Sequence, residues 1–319
     1  MLYYSLDFEK PLVELERKLA ELKKISEGGV LDSRDEVAAL QKKIEKKKKE
    51  IFSSLTPWQR CQIARHPKRP TSLDYIDRIF DEFIELHGDR LFRDDEAIVA
   101  GIGYIGKRRV AIVAQQKGRD MNENIRRSFG SPHPEGYRKA QRIFRLAEKF
   151  KLPLISFIDT QGAFPGLGAE ERGQGEAIAK NLEVMALLRT PIIVMVLGEG
   201  GSGGALAIGI GDCIYMLENA IYSVISPEGC AAILWKDQQK VKDAAQYLKL
   251  TAEDLLKLKV IDGIIKEPLG GAHKDYDATA LSVKKRISST LSKYAKPDMD
   301  KVIEKRYLKY RNIKYYSEG

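Results

Sequence analysis

The chain has 319 residues, 43% of them hydrophobic, and a formal net charge of +9 at pH 7. That length holds one large domain or two ordinary ones, and no window approaches the ~18 continuous apolar residues of a membrane helix. Three widely spaced cysteines, Cys61, Cys213 and Cys230, argue against a disulfide framework and against a four-cysteine zinc site. Residues 1–9 lack the basic-then-apolar layout of a signal peptide, so a cytoplasmic location is expected. The basic excess collects in residues 42–49 and 301–314, which read as a solvated helix face and a solvated tail. With no aromatic-interleaved basic motif and no zinc finger, neither a membrane nor a nucleic acid is expected as partner.

Leu12, Leu15, Leu19 and Leu22 fall at helical spacing among charged residues. After Gly28-Gly29 the stripe continues through Val37, Leu40, Ile44 and Ile51, with Asp32 or Ser33 as the cap. Two amphipathic helices about a Gly-Gly turn predict an antiparallel hairpin that packs on the body or on a partner and carries no chemistry. Thr56-Pro57 opens a third helix, broken by the two prolines of residues 66–70. Thr71 or Ser72 caps the next, with Tyr75, Ile76, Ile79, Phe80 and Phe83 on its apolar side. Residues 97–104 and 109–115 are strand-like and form a hairpin about Gly106-Lys107. Gly101, Gly103 and Gly106 fit a dinucleotide pattern, but they lie inside a strand and open no helix, so that match is discarded.

Residues 117–134 form a basic stretch without regular structure, of a length that is often functional or interfacial. Tyr137, Ala140, Phe144, Ala147 and Phe150 then mark a helix. Further helices are predicted over 174–189, 202–210 and 277–294, with shorter ones after Pro227 and Thr251. Strands are predicted over 154–158, 192–197, 213–217, 221–225 and 260–265. This alternation implies an α/β fold with parallel strands in the middle. The expected organisation is a helical extension over 1–70, a main domain over 71–295 and a charged tail over 296–319.

Within residues 157–211, two short apolar strands each end in a glycine-rich loop that runs into a helix. Glycines at such turns let backbone N–H groups face a ligand. Three readings compete at Gly198-Glu199-Gly200-Gly201-Ser202-Gly203-Gly204. A dinucleotide site fits the spacing of Gly198, Gly200 and Gly203, with Glu218 about 20 residues on, but the helix that follows is short. A serine nucleophile fits Gly200-x-Ser202-x-Gly204 and would need His273 as its base; Ser202 serves equally well as a helix N-cap. An oxyanion hole fits the first-turn N–H groups of Gly203, Gly204 and Ala205, with a second donor from Gly162 or Ala163. A purely structural loop is the fourth possibility.

Asp159-Thr160-Gln161-Gly162-Ala163-Phe164-Pro165-Gly166 and Glu171-Arg172-Gly173-Gln174 resemble the biotin-dependent carboxyltransferase family. So do the run from Gly198 to Ala207 and Ser226-Pro227-Glu228-Gly229. Leu86-His87-Gly88-Asp89-Arg90, Gln116-Lys117-Gly118-Arg119-Asp120 and the helical extension narrow the resemblance to the alpha subunits of bacterial acetyl-CoA carboxylase carboxyltransferases. The resemblance implies a crotonase-like (ClpP/crotonase) spiral of ββα units behind an N-terminal helical hairpin. It implies a beta subunit that bears a zinc ribbon, in an α2β2 assembly that works with biotin carboxylase and a biotin carboxyl carrier protein, with no metal on this chain. The reaction so implied moves a carboxyl group from carboxybiotin to acetyl-CoA, giving malonyl-CoA for fatty acid synthesis. On this reading N–H groups of Gly203 and Gly204, with Gly162 or Ala163, hold the charge on the biotin ureido oxygen. Gln161, Phe164, Gly201, Ser202 and Ala205 are then expected around the cofactor, and Glu199 is expected to flank the pocket. Biotin would act as its own base, which accounts for the lack of a His–Asp pair. Lys117, Arg119, Arg126, Arg127 and Arg138 are expected at the subunit boundary, against CoA phosphates or acidic residues of the beta chain.

Overall fold

A computed structural model gives the structure of the chain and describes residues 5–27 and 34–313. The expected Gly28-Gly29 turn, its Asp32 or Ser33 cap and the tail from Lys314 lie outside the described residues. Helices α1 (Lys10–Glu27) and α2 (Arg34–Ser53) pack together, with Lys48 Nζ 3.2 Å from Glu16 Oε1 across the pair. Leu12 and Ile44 of the predicted stripe are buried. Helix α3 (Pro57–Ala64) starts at a reciprocal capping box: Thr56 Oγ1 accepts from the Gln59 N–H, and Gln59 Oε1 from the Thr56 N–H. Helix α4 (Ser72–Ile79) begins where Asp74 accepts from both the N–H and the hydroxyl of Thr71. It ends before Phe83, which belongs to strand β1 (Asp81–Glu85) and not to the helix. The chain straightens there because β1 pairs with the next strand, and that ladder takes up main-chain groups a longer helix would have used internally.

Strands β2 (Ile98–Ile105) and β3 (Arg108–Gln115) form the predicted hairpin, in register from Ile98↔Gln115 to Ile105↔Arg108. The stretch after β3 contains a short helix that the sequence did not reveal, α5 (Met121–Arg126), capped by the Asp120 carboxylate. Then follow α6 (Pro134–Lys149), β4 (Leu154–Thr160), α7 (Leu167–Glu171), α8 (Gln174–Leu187), β5 (Ile192–Gly201) and α9 (Ser202–Leu206). The chain continues with β6 (Cys213–Leu217), β7 (Ile221–Ser223), α10 (Pro227–Leu234), α11 (Val241–Tyr247), α12 (Ala252–Lys257), β8 (Gly263–Ile265), α13 (Tyr276–Lys293) and α14 (Met299–Arg311).

The strands form one sheet in the order β1-β2-β3-β4-β5-β6-β8, with β7 paired to the end of β5. From β3 onward every pairing is parallel, as the βα alternation predicted. All seven residues of β4 are buried, which is what a central parallel strand covered on both faces requires. Strand β5 runs four residues past its predicted end, so residues 198–201 are strand and not loop. The reason is non-local: Glu199, Gly200 and Gly201 pair with Ile221, Tyr222 and Ser223 of β7.

The tail also differs from expectation. Helix α14 docks on the body through Arg306, whose guanidinium is buried and pairs with both carboxylate oxygens of Asp212. The solvated-tail reading failed for this residue because Asp212 lies 94 positions away in sequence.

Candidate functional site

The carboxyl ends of β3, β4 and β5 lie side by side and deliver Gln115, Asp159 and Glu199 to one edge of the sheet. In open parallel sheets this edge is where ligands bind. The loop after β4 and the turn after β5 meet there at van der Waals limits. A Cβ built on Gly204 would lie 2.4 Å from the Ala163 nitrogen and 2.6 Å from the Gly162 carbonyl carbon. One built on Gly201 would lie 2.1 Å from the Gln161 carbonyl oxygen. Glycine is therefore required at both positions by backbone contact.

Beside this junction opens a cleft of about 530 Å³, within the usual range for a ligand site. Gln161, Gly162, Ala163 and Gly201 line it, opposite Ile225, Ser226, Pro227 and Glu228. Gly203 and Gly204 sit in the first turn of α9, where no side chain caps the N–H groups. The other named residues lie behind the junction. Ala205 is buried. Phe164 stacks on His133 at a centroid distance of 4.1 Å, and its carbonyl accepts from Gln174 Nε2. Gln174 thereby fixes the loop from behind, while Gln161 Nε2 reaches Ser131 Oγ. The structure thus brings Gln161, Gly162, Ala163, Gly201 and Gly204 together at the junction, and leaves Gly203, Gly204, Phe164, Ser202 and Ala205 off the cleft lining, with Gly204 buried beneath it.

Ser202 is the first residue of α9, and its N-cap is Gly201. Its φ of +53° puts it in the left-handed region, an unfavourable state for a non-glycine residue. His273, the base a serine nucleophile would need, stacks instead on His66 with centroids 3.8 Å apart. Both His273 ring nitrogens are buried with no hydrogen-bond partner among the described residues. Among the described residues no hydrogen bond joins Ser202 to a histidine.

The charged groups at the cleft pair with each other. Lys117 Nζ lies 2.8 Å from Asp159 Oδ1 and 2.8 Å from Glu199 Oε2. Arg65 Nε donates to Glu199 Oε1, and its Nη1 to Glu228 Oε1. Burial alone would raise the Glu199 carboxyl, but Lys117 and Arg65 outweigh it and bring its pKa down to about 2. Burial opposes the charge on Lys117 too, yet Asp159 and Glu199 hold its pKa above the ordinary lysine value. The site is an ionised, interlocked frame around a neutral peptide surface.

Arg65 belongs to the segment that the sequence assigned to packing, so its place at the cleft was missed. Gln115 was missed because nothing in a strand-end glutamine distinguishes it. The basic residues expected to face CoA phosphates or a beta chain are paired within this chain. Arg119 meets Asp74, Arg126 meets Glu96, Arg127 meets Glu123, and Arg138 meets Asp89. Among the described residues no cluster of three or more His, Cys, Asp or Glu could hold a metal ion, and no helix is long and apolar enough to cross a membrane.

A family model described as acetyl co-enzyme A carboxylase carboxyltransferase-like matches residues 5–314. The chain is 53% identical over 308 residues to acetyl-coenzyme A carboxylase carboxyl transferase subunit alpha of Oceanobacillus iheyensis, covering 97% of each. It is 52% identical over 315 residues to the protein of that name from Geobacter metallireducens, covering 99% of each. Those names give the serine hydrolase alternative no support. Transcarboxylase 12S superposes with a TM-score of 0.58 at 21% identity, over 71% of this chain and 41% of that one. A Pseudomonas malonate decarboxylase hetero-tetramer does so with a TM-score of 0.55 at 16% identity, over 67% of this chain and 85% of that one. At those identities the likeness is one of fold, and the fold is crotonase-like. The chain belongs to the family of acetyl-coenzyme A carboxylase carboxyltransferase alpha subunits.

Proposed function

We propose that this chain is the half of a carboxyltransferase that receives carboxylated biotin, and that with a beta subunit it forms malonyl-CoA from acetyl-CoA. The observation that carries the reading is the contact of Gly204 with the 162–163 peptide at the ends of β4 and β5, beside an open cleft. Gly203 and Gly204 lie in the first turn of α9, where N–H groups lack an intrahelical acceptor and no side chain caps them, and Gly203 is only half-buried. The Gly162 N–H donates to Thr160 Oγ1 at 3.1 Å, which leaves the Ala163 N–H as the neighbouring donor. A Cβ on Gly162 would meet nothing within 4 Å, so this face of the peptide is open. Biotin, when bound, supplies the carboxyl group and the base. This chain's residues then orient the ring, hold charge at its oxygen and keep the cleft walls in register. The pairing of Lys117, Arg65, Glu199 and Glu228 fits that role, since groups so tied are poor proton shuttles.

A beta subunit that carries a zinc ribbon completes the site in an α2β2 assembly, and a biotin carboxyl carrier protein loaded by biotin carboxylase delivers the carboxyl group. A cytoplasmic location goes with this reading. Exposed apolar side chains support a partner at this face. Val224, Ile233 and Leu234, at 75%, 68% and 67% exposure, flank the Ser226–Glu228 wall of the cleft in sequence. The test is reconstitution. The purified chain alone should make no malonyl-CoA and should do so when the beta subunit and carboxylated carrier are added. Turnover by the isolated chain would overturn the reading.

A further inference from the structure

Gln115 closes β3 and is fully buried. Its side-chain amide makes two hydrogen bonds. Nε2 donates to the Gly204 carbonyl at 2.7 Å, and Oε1 accepts from the Asp159 N–H at 3.2 Å. One partner sits in α9, after the second glycine turn. The other sits near the end of β4, two residues before Gln161 of the first glycine loop. A single planar amide therefore spans both halves of the junction. Its own backbone is anchored in turn, because the Ser72 hydroxyl donates to the Gln115 carbonyl at 2.6 Å.

Helix α9 has five residues and opens on a left-handed Ser202. A helix of one turn does not hold its own geometry. Peptide donors stabilise a developing oxyanion only when they are fixed before the reaction. We propose that Gln115 is a positioning residue, which holds the Gly203–Gly204 N–H groups in register with the Gly162–Ala163 peptide. This rests on the function proposed above. An amide meets both demands at once, with a donor for the Gly204 carbonyl and an acceptor for the Asp159 N–H, whereas a thioether has neither a donor nor a strong acceptor and an aliphatic side chain has none.

The experiment compares Gln115→Met and Gln115→Leu with the unaltered chain. In the complex with the beta subunit, kcat should fall about 10- to 100-fold while the KM for acetyl-CoA stays within about two-fold, because the loss is confined to a preorganised donor. In the isolated full chain, amides of residues 206–209 should exchange with deuterium at least ~10-fold faster while those of β3 and β4 keep their rates. Unchanged kcat and unchanged exchange overturn the proposal. So does a fall in kcat matched by a rise in KM and by faster exchange throughout, which marks a general structural role. If the unaltered complex makes no malonyl-CoA, the proposed function fails on its own. The exchange arm then decides the tie: unchanged exchange at 206–209 overturns it, and selective acceleration upholds it.

Discussion

Arg65 Nε lies 2.6 Å from Glu199 Oε1, so a residue of the N-terminal segment reaches the base of the cleft, 134 positions away in sequence. The same guanidinium holds Glu228 at the start of α10. It therefore ties one cleft wall to the end of β5. Arg60 and Arg69 make parallel connections, to Glu253 and Glu267. Among the described residues, Arg65→Ala leaves Glu199 with Lys117 alone and Glu228 with no cation. The Arg65 side chain is 29% exposed, so the loss falls below that of a fully buried pair, at ~2–3 kcal/mol. Arg65→Lys should recover little, since a single ammonium lacks the separated Nε and Nη1 donors that meet Glu199 and Glu228. Urea unfolding midpoints measure this, and a change under ~0.5 kcal/mol would put the contact among neutral surface substitutions.

Gly204→Ala places a methyl group 2.4 Å from the Ala163 nitrogen and 3.0 Å from the buried Tyr137 hydroxyl. Backbone cannot yield as a flexible side-chain tip does, so the two loops must separate. Turnover of the complex should drop by at least ~10²-fold, the scale on which a single oxyanion donor acts. Size-exclusion chromatography should still show assembly, because Gly204 is buried inside the chain and not on its surface. A variant that assembles and turns over normally would remove this junction from the mechanism.

The stacked pair His66 and His273 gives the chain an acid sensitivity. Burial, followed by neighbouring cations, brings His66 down to about 4. Burial and then His66 bring His273 down to about 3. Both are below the ordinary value of 6.5, so in the folded state they stay neutral while the unfolded chain takes up protons. Stability from this pair is complete above pH 6.5 and is lost as the pH falls through 6.5 toward 4 and 3. The melting temperature should fall by several degrees between pH 7 and pH 5. His273→Phe keeps a ring against His66 and removes one titrating group, so its curve should be flatter. Equal slopes for the two proteins would exclude the pair as the cause.

The helix and strand order was legible because β4 and β5 are continuous apolar runs and because close backbone contact leaves its mark as glycine. Gly201 and Gly204 could be named before any geometry was known, since no other residue fits there. Residues decided by distant partners left no such mark. The pairing of Gly200 with Tyr222 turned an expected loop into strand. Lys117 reads as a basic loop residue, and only the fold shows it enclosed between Asp159 and Glu199. Gln115 is one of several glutamines in the chain, and its two bonds exist only once β3, β4 and α9 have assembled.

Arg306 carries that lesson into a test of the C-terminal helix. In sequence it is one cation in a charged run. In the fold it is 2% exposed, and its Nη1 donates to the Met185 and Leu188 carbonyls at 2.7 and 2.9 Å. Nη2 donates to the Thr190 carbonyl at 3.0 Å and to Asp212 Oδ2 at 2.9 Å. These carbonyls lie at the end of α8 and just before β5, so the guanidinium takes up main-chain groups that the helix terminus leaves unpaired. Asp212 Oδ2 also accepts from the Ile192 N–H, at the first residue of β5. Arg306→Ala therefore strips a buried carboxylate of its cation and orphans several carbonyls together. The expected cost is ~3–5 kcal/mol. Replacing exposed Lys305 in the same helix with alanine should cost under ~0.5 kcal/mol. If the two substitutions shift the urea midpoint equally, α14 is not held by this contact. If Arg306 alone shifts it, the helix is part of the folded body, and it braces the entry of the strand whose other end carries Glu199 and the glycine turn.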